Sequence, residues 1–471
     1  MPLILPGNVG SATASTTFSV ANSVRMNDGD TPYFNKTPSA GDRAKWTFSC
    51  WFKLGSAYSS THGILVAGGG SADQSTIRLD SGVIDWVEWD QSGSATQGRL
   101  ITNRVFRDPT GWMHLVCTWD SDNASSGDRM KMYINGVRET SFSTGTYPTS
   151  GYDSAMNSNV LHEIGRQSWN SSQYFDGYFA EMAFCDGQAY AASDFGEFDE
   201  DSPTIWKPKN ISTLTFGTRG WYLDFEDSGD LDDDESGNGN DWTANNLAAA
   251  DQYVDSPTKN YATWNPLVEN NSVTFSEGNT FGTKSSAHAS IVSTIAVNNG
   301  KFYMEFKVEV VNPRTIGLAR SDFIDWDDYL GSDEMSWGTY WEATGNAHHS
   351  HAGSDIGTTS SMATSTGDIL QLAFDGATGK CWIGKNNTWL DSGDPAAGSN
   401  PIFTLSATDL TYDIFFAVNV YDGALSANFG NGQFKGTAIS SAGTTTTGDD
   451  SIWEYDCPSG FYGLSAKNLN Q

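Results

Sequence analysis

Five oxygen-bearing side chains stand close together in one acidic run: Asp230, Asp232, Asp234, Asn238 and Asp241, inside the segment Glu226–Asp241. Alternating carboxylates followed by further oxygens approximate the ligand order of a calcium loop, where Ca2+ takes roughly six to eight oxygens. Crowding so many carboxylates costs repulsion that a bound cation relieves. The order is imperfect: Glu235 stands at the sixth position, where the turn calls for glycine, and Asp241 replaces a bidentate glutamate at the twelfth. The competing reading is a solvated acidic turn. Calcium is thus the one cofactor the spacing suggests, and none is required.

Other chemistry is thinly supplied. His348, His349 and His351 are close enough in sequence for a zinc or nickel site, but no carboxylate or cysteine stands at a supporting spacing, so a polar loop is the default. Glu197-Phe198-Asp199-Glu200-Asp201 is the nearest approach to the paired carboxylates of a glycoside hydrolase, and it lacks the final glutamate. No GxSxG, HExxH or phosphate loop occurs, and Gly68-Gly69-Gly70 is a glycine turn without a lysine partner. Aromatic side chains remain. Most tryptophans must fill cores, but Trp89, Trp326, Tyr340 and Trp341 have polar neighbours and are candidates for stacking on a sugar or anchoring a protein contact. Asp322, Asp325, Asp327 and Asp328 surround Trp326, and so acidic a loop favours a basic or cation-bridged partner.

The elements that would position these residues are strands. Gly367–Leu390 holds two apolar segments around the turn Asp375-Gly376-Ala377-Thr378-Gly379, which is a hairpin pattern, and ends in a polar tip, Lys385-Asn386-Asn387-Thr388, followed by Trp389. In the first half, Trp46–Leu54 alternates as a half-buried strand does, and Gly111–Asp120, Met130–Arg138 with its Asn135-Gly136 turn, and Phe175–Phe184 follow. In the second half come Gly300–Val308, Thr315–Ala319, Met335–Tyr340, the hairpin, Tyr412–Val418 and Leu425–Gly430.

The four first-half segments resemble, in order and spacing, a laminin-G-like, concanavalin A-like jelly roll. That resemblance implies two curved antiparallel sheets, with glycan or protein ligands on a concave face or at loop rims. The second-half succession resembles a SPRY domain, a β-sandwich binding module. The segment DESGNGNDW resembles a motif found near the start of laminin-G-like domains, yet here it follows them; a permuted edge and an inter-domain connector are both open. The expected organisation is an N-terminal segment 1–16, a jelly roll 17–246 including the acidic stretch, a linker 247–261 and a SPRY domain 262–471. The fold class is all-β, two tandem antiparallel β-sandwiches. Together with the start MPLILPGNVGSATAS and the ending PSGFYGLSAKNLNQ, this architecture resembles virion structural proteins of marine tailed bacteriophages.

Composition sets the remaining bounds. The chain has 471 residues, 13% aromatics, abundant glycine and a formal net charge of −31. Such a surface repels phosphate backbones and anionic membranes, so neither nucleic acid nor membrane insertion is expected. Five widely spaced cysteines without a CxxC give neither a zinc signature nor a disulfide framework. No secretory leader is expected, and the implied location is a virion assembled in a host cytoplasm. The expected function is non-enzymatic: a peripheral fibre, knob or decoration binding host-surface glycan or protein, with other virion proteins and a further copy of itself as partners. A purely architectural cementing role is the main rival; a polysaccharide-degrading enzyme is the lesser one.

Overall fold

The computed structural model describes residues 18–55, 61–167, 173–200, 202–268, 273–310, 313–341, 345–359 and 363–469. Its regular structure is strands and short 3-10 turns, with no α-helix among the described residues. The chain divides between Thr258 and Lys259 into two compact units.

The first unit holds two eight-stranded sheets. One runs Val137–Arg138, Met130–Ile134, Met113–Asp120, Lys45–Leu54, Gly177–Asp186, Ser23–Met26 and Gln252–Tyr253, with Trp221–Leu223 also pairing to Gly177–Asp186. The four strands read from the first-half sequence are therefore consecutive neighbours in one sheet. Asn135 and Gly136 have φ of 47° and 77°, the left-handed pair that a tight hairpin needs. The other sheet runs Phe142–Thr146, Ala95–Thr102, Val83–Asp90, Gln74–Asp80, Thr61–Gly68, His162–Ile164, Tyr33–Lys36 and Thr243–Asn245. Between the sheets Trp46, Trp86 and Trp119 pack with ring centroids 5.5–6.2 Å apart, joined by Phe48, Phe52, Leu65, Ile77 and Leu100.

Lys45–Leu54 is buried on both faces after its first residue, not half-buried as its alternation predicts. The reason is a second layer. Segment 187–217 lies over the outer face and buries Phe195, Ile211 and Phe216 against Val116, Ala183 and Cys185. The stretch expected to be a linker, 247–261, is folded into this unit as far as Thr258. Gln252–Tyr253 pairs with Ser23–Met26, Asp255 binds the buried Lys53 at 2.8 Å, and Ser256 donates to the carbonyl of Val20 at 2.8 Å. The acidic stretch likewise packs here: Leu231 and Trp242 enter the core, and Trp242 meets Trp221 edge-on at 5.0 Å.

The second unit is built on a thirteen-stranded, almost wholly antiparallel sheet system folded around one main core. Lys301–Val310, Pro313–Arg320, Ser336–Trp341, Ile369–Asp375 and Lys380–Lys385 fall where the sequence places strands. The hairpin forms as expected, with Gly379 N–H donating to the Asp375 carbonyl at 2.8 Å. Two segments read as separate, Tyr412–Val418 and Leu425–Gly430, belong to one fifteen-residue strand, Ile414–Asn428. It pairs with Lys301–Val310 near its end and with Pro313–Arg320 near its start, so one bent strand serves both layers.

Candidate functional site

The second unit carries an open cleft of about 340 Å3 on the outer face of its sheet, lined by His288, Thr315, Tyr329, Tyr340, Ser350, Gly353, Ser354 and Asp355. Register explains how they meet. Thr315 lies opposite Tyr340, and Tyr340 lies opposite His348, so these three side chains share one face. Trp337, Thr339 and Trp341 alternate to the other face. Phe281–Val292 adds His288, opposite Tyr421.

Tyr329 arrives from the loop 321–335, which folds back over the sheet. The Asp328 carbonyl accepts from Ser290 Oγ at 2.9 Å and from Asn419 Nδ2 at 2.8 Å. Glycine permits the approach: a Cβ on Gly338 would stand 2.3 Å from the Leu330 carbonyl oxygen. The loop buries Phe323, Trp326 and Leu330 on Val292, Ala319 and Phe415.

The rings form a continuous strip. Centroid distances run 4.7 Å from Tyr421 to His288, 6.2 Å from His288 to Tyr329, 6.5 Å from Tyr329 to Tyr340 and 5.0 Å from Tyr340 to His348, the last pair stacked. His348 Nδ1 lies 2.7 Å from Asp355 Oδ2, and that bond holds the Asp355 carboxyl below its ordinary range. Asn419 uses its amide N–H groups on Ser290 and Asp328, so its carbonyl accepts from His288 Nδ1 at 2.8 Å. In the neutral ring this leaves Nε2 as the acceptor nitrogen. Thr315 is fully buried, and its Oγ1 has no hydrogen-bond partner among the described residues.

The candidates read from sequence fare differently. Tyr340 is in the cleft. Trp341 is 6% exposed and points into the core, as strand alternation from Tyr340 requires. Trp326 is 8% exposed and meets Phe323 edge-on at 4.9 Å; it faces the sheet while Asp327 beside it is exposed, so it is no surface anchor. Trp89 is half-buried on the first unit, with its indole N–H donated to Gln91 Oε1 at 3.1 Å.

The five acidic-run residues do not converge on a cation. Asp234 is nearly buried and accepts backbone N–H groups of Tyr222, Ser236 and Asn240, each at 2.8 or 2.9 Å. Asp232 accepts from Ala244 N–H, Asp241 from Asp234 N–H, and Asn238 donates to the carbonyls of Gly217 and Gly220. Asp230 is exposed, its carboxyl pushed up by Asp232 beside it. The oxygens expected to face a metal thus cap the loop's own backbone. The histidines also diverge. His349 is buried between Thr339 and Thr359, while His351 stacks on Trp337 at 4.6 Å. Among the described residues no three His, Cys, Asp or Glu side chains are grouped to hold a metal ion.

One pairing that sequence spacing conceals is Ser49 with His114, whose Oγ and Nε2 lie 2.8 Å apart. It has the outline of a nucleophile and its base, but the wrong tautomer. Trp206 donates its indole N–H to His114 Nδ1 at 2.9 Å, so Nε2 carries the hydrogen and donates to Ser49. Burial pushes the imidazole down to about 3, and the ring stacks on Trp51 at 4.6 Å beneath the 187–217 layer. Glu88, Glu181 and Glu305 are likewise interior, pushed up by burial to about 7, about 8 and about 7.

The family model of the concanavalin A-like lectin/glucanases superfamily, laminin G type, matches residues 28–192. The first unit carries a laminin-G-like, concanavalin A-like domain. Solved structures similar to the chain include mouse laminin alpha1 domains LG4-5, at 11% identity over 89% of this chain and 90% of that one with a TM-score of 0.30. The PSpry domain of TRIM65 is 16% identical over 36% of this chain and 91% of its own, with a TM-score of 0.28. A heptameric SAP-like pentraxin from Limulus polyphemus is 13% identical over 37% and 80%, also with a TM-score of 0.28. No curated protein matches the chain.

Proposed function

We propose that this chain is a non-enzymatic binding protein that holds its ligand in the Tyr329–Tyr340 cleft of the second unit, and that it serves as a peripheral component of a tailed-phage particle contacting a host-surface glycan or protein. The observation that carries the binding reading is the cleft: a strip of aromatic rings on a rigid sheet, flanked by hydroxyls and one carboxylate. Hydrolysis of a glycosidic bond calls for two carboxyl groups about 5–10 Å apart, whereas among the described residues the lining offers Asp355 alone. Support for the particle setting is the order of sequence motifs from one end of the chain to the other.

Two measurements test the two parts. Immunogold labelling of intact particles with antibody to this chain should mark the tail tip or projecting fibres; even labelling of the head would move the protein to a cementing role, and no labelling would remove it from the particle. Purified chain should compete with particles for adsorption to host cells, and Tyr329→Ala should abolish that competition. Undiminished competition by the variant would exclude the cleft.

A further inference from the structure

The chemistry of the cleft selects among ligand classes. Its described lining contains no lysine or arginine. The neighbouring loop is acidic, and Asp325 is pushed up by burial and then by Asp328, Asp333 and Asp327 around it. A phosphate, sulfate, sialic acid or uronate would enter against this field with no cation to meet it. A bare cation suits the field but not the shape. Cation recognition by aromatic rings needs open ring faces around a gap. Here His288, Tyr329 and Tyr340 follow one another along one side of the cleft, with centroids 6.2 and 6.5 Å apart and planes tilted by 55° and 60°, and one face of Tyr340 is already covered by His348.

A wall of rings with hydroxyls beside it suits a flat ligand with one apolar face and a rim of O–H groups. Acceptors for such hydroxyls are in place. Asp355 retains lone pairs beyond its bonds to His348, Gly357 and Thr358, and Ser350 and Ser354 stand beside it. Thr315 contributes a second, independent sign: a fully buried hydroxyl without a partner, in the lining of the cleft. Leaving such a group unmade costs stability, and a ligand hydroxyl at the floor would relieve it. The volume lies near the lower end of the range for small-ligand pockets, which suits one or two sugar rings.

We propose that the His288–Tyr329–Tyr340–Asp355 cleft binds an uncharged saccharide, one or two pyranose rings of a longer neutral glycan, stacked on the Tyr329–Tyr340 wall with a hydroxyl reaching Thr315. This rests on the reading of the cleft as the binding site.

The test uses the full chain and saturation-transfer NMR with methyl glycosides of glucose, galactose and mannose. Sialyllactose, a sulfated disaccharide and tetramethylammonium serve as the charged arms. At least one neutral glycoside should bind while the charged probes do not. Tyr340→Ala should weaken that binding roughly tenfold or more. Thr315→Val should also weaken it, while leaving the melting temperature unchanged or higher, because it removes an unpartnered hydroxyl without changing shape. A structural role alone would not split those two readouts. Binding only of a charged probe, lost in Tyr340→Ala, would overturn the saccharide and keep the cleft. Neutral glycoside binding that survives both substitutions would overturn the cleft itself. No saccharide bound, with cell competition still lost in Tyr329→Ala, would point to a protein ligand and sink the inference alone.

Discussion

On the outer face of Lys45–Leu54, His114 lies between Trp51 and Trp206 with Ser49 at hydrogen-bond distance. On the outer face of Ser336–Trp341, His348 lies against Tyr340 with Asp355 at hydrogen-bond distance. The ingredients are alike: an imidazole stacked on aromatic rings and bonded to an oxygen. The difference is the second layer. In the first unit, segment 187–217 and the closing segment around Asp255 cover the face. In the second unit, the loop 321–335 covers only part of it, over Gly338, and leaves Tyr329 and Tyr340 lining an open cleft. A sheet face becomes a site by what fails to cover it, and residue type alone does not decide.

That comparison can be broken at the covers. The largest effect is expected at Asp255. Lys53 is an outer-face residue, and Asp255→Ala would leave its ammonium buried without this partner, 2.8 Å away in the native chain, costing about 3–5 kcal/mol. Chemical unfolding of the first unit measures it, and a loss below 1 kcal/mol, the scale of a solvent-exposed pair, would show that the closing segment does not seal that face. Next is Trp206→Ala, which removes the ring over His114. It should cost about 2 kcal/mol, less than a fully buried tryptophan. It should also raise the His114 titration from about 3 toward the ordinary histidine range, read by NMR. An unmoved titration would mean the imidazole is shielded by the sheet and not by its cover.

The two units should also differ in their response to pH. In the first, His114 and His162 are held down by burial, to about 3 and about 4, so their contribution is full above the ordinary histidine value and is lost as pH falls below it. Glu88 and Glu181 act in the opposite sense, because their raised values make the folded state the better proton binder. In the second unit, Glu305 accepts N–H groups of Glu454 and Tyr455 and is pushed up by burial to about 7. Its contribution is full below about pH 4.5 and is lost as pH rises to about 7, by at most about 3 kcal/mol. Glu305→Gln should flatten that slope in denaturation curves taken across the interval; an unchanged slope would assign it to another group. The smallest effect on stability is expected at the open face. Tyr340→Ala should cost no more than about 1 kcal/mol, since the ring is only partly buried and supports no second layer. A larger loss in thermal unfolding would make Tyr340 structural and weaken the contrast.

The same contrast separates what sequence reveals from what it hides. Lys45–Leu54, Met113–Asp120 and Gly177–Asp186 are legible because Trp46, Phe48, Trp119 and Phe184 recur with period two. Their outer face is misjudged because Thr47, Ser49 and Lys53 look solvated, and only the distant 187–217 and 252–258 segments bury them. Ile414–Asn428 reads as two elements because Tyr421-Asp422-Gly423 interrupts its apolar run, and Asp422 indeed adopts a φ of 48°. For the site, Tyr340 is visible from its neighbours, while His288, Thr315 and Tyr329 come from three other elements and carry no local signal. The alternation Trp337, Thr339, Trp341 against Gly338 and Tyr340 would have removed Trp341 from the candidates. The aspartates around Trp326 misled in the other direction, because a loop can face solvent with its carboxylates and the sheet with its rings.

The loop 321–335 is seated through its own carbonyls, Asp328 on Ser290 and Asn419, with Leu330 lying over the bare Cα of Gly338. Main-chain atoms are the same whatever residue bears them. Substitutions at the outward positions of this loop therefore alter what the cleft wall displays without shifting where the wall stands. The arrangement separates address from mounting, and a lineage under pressure to change its target can vary the one while inheriting the other.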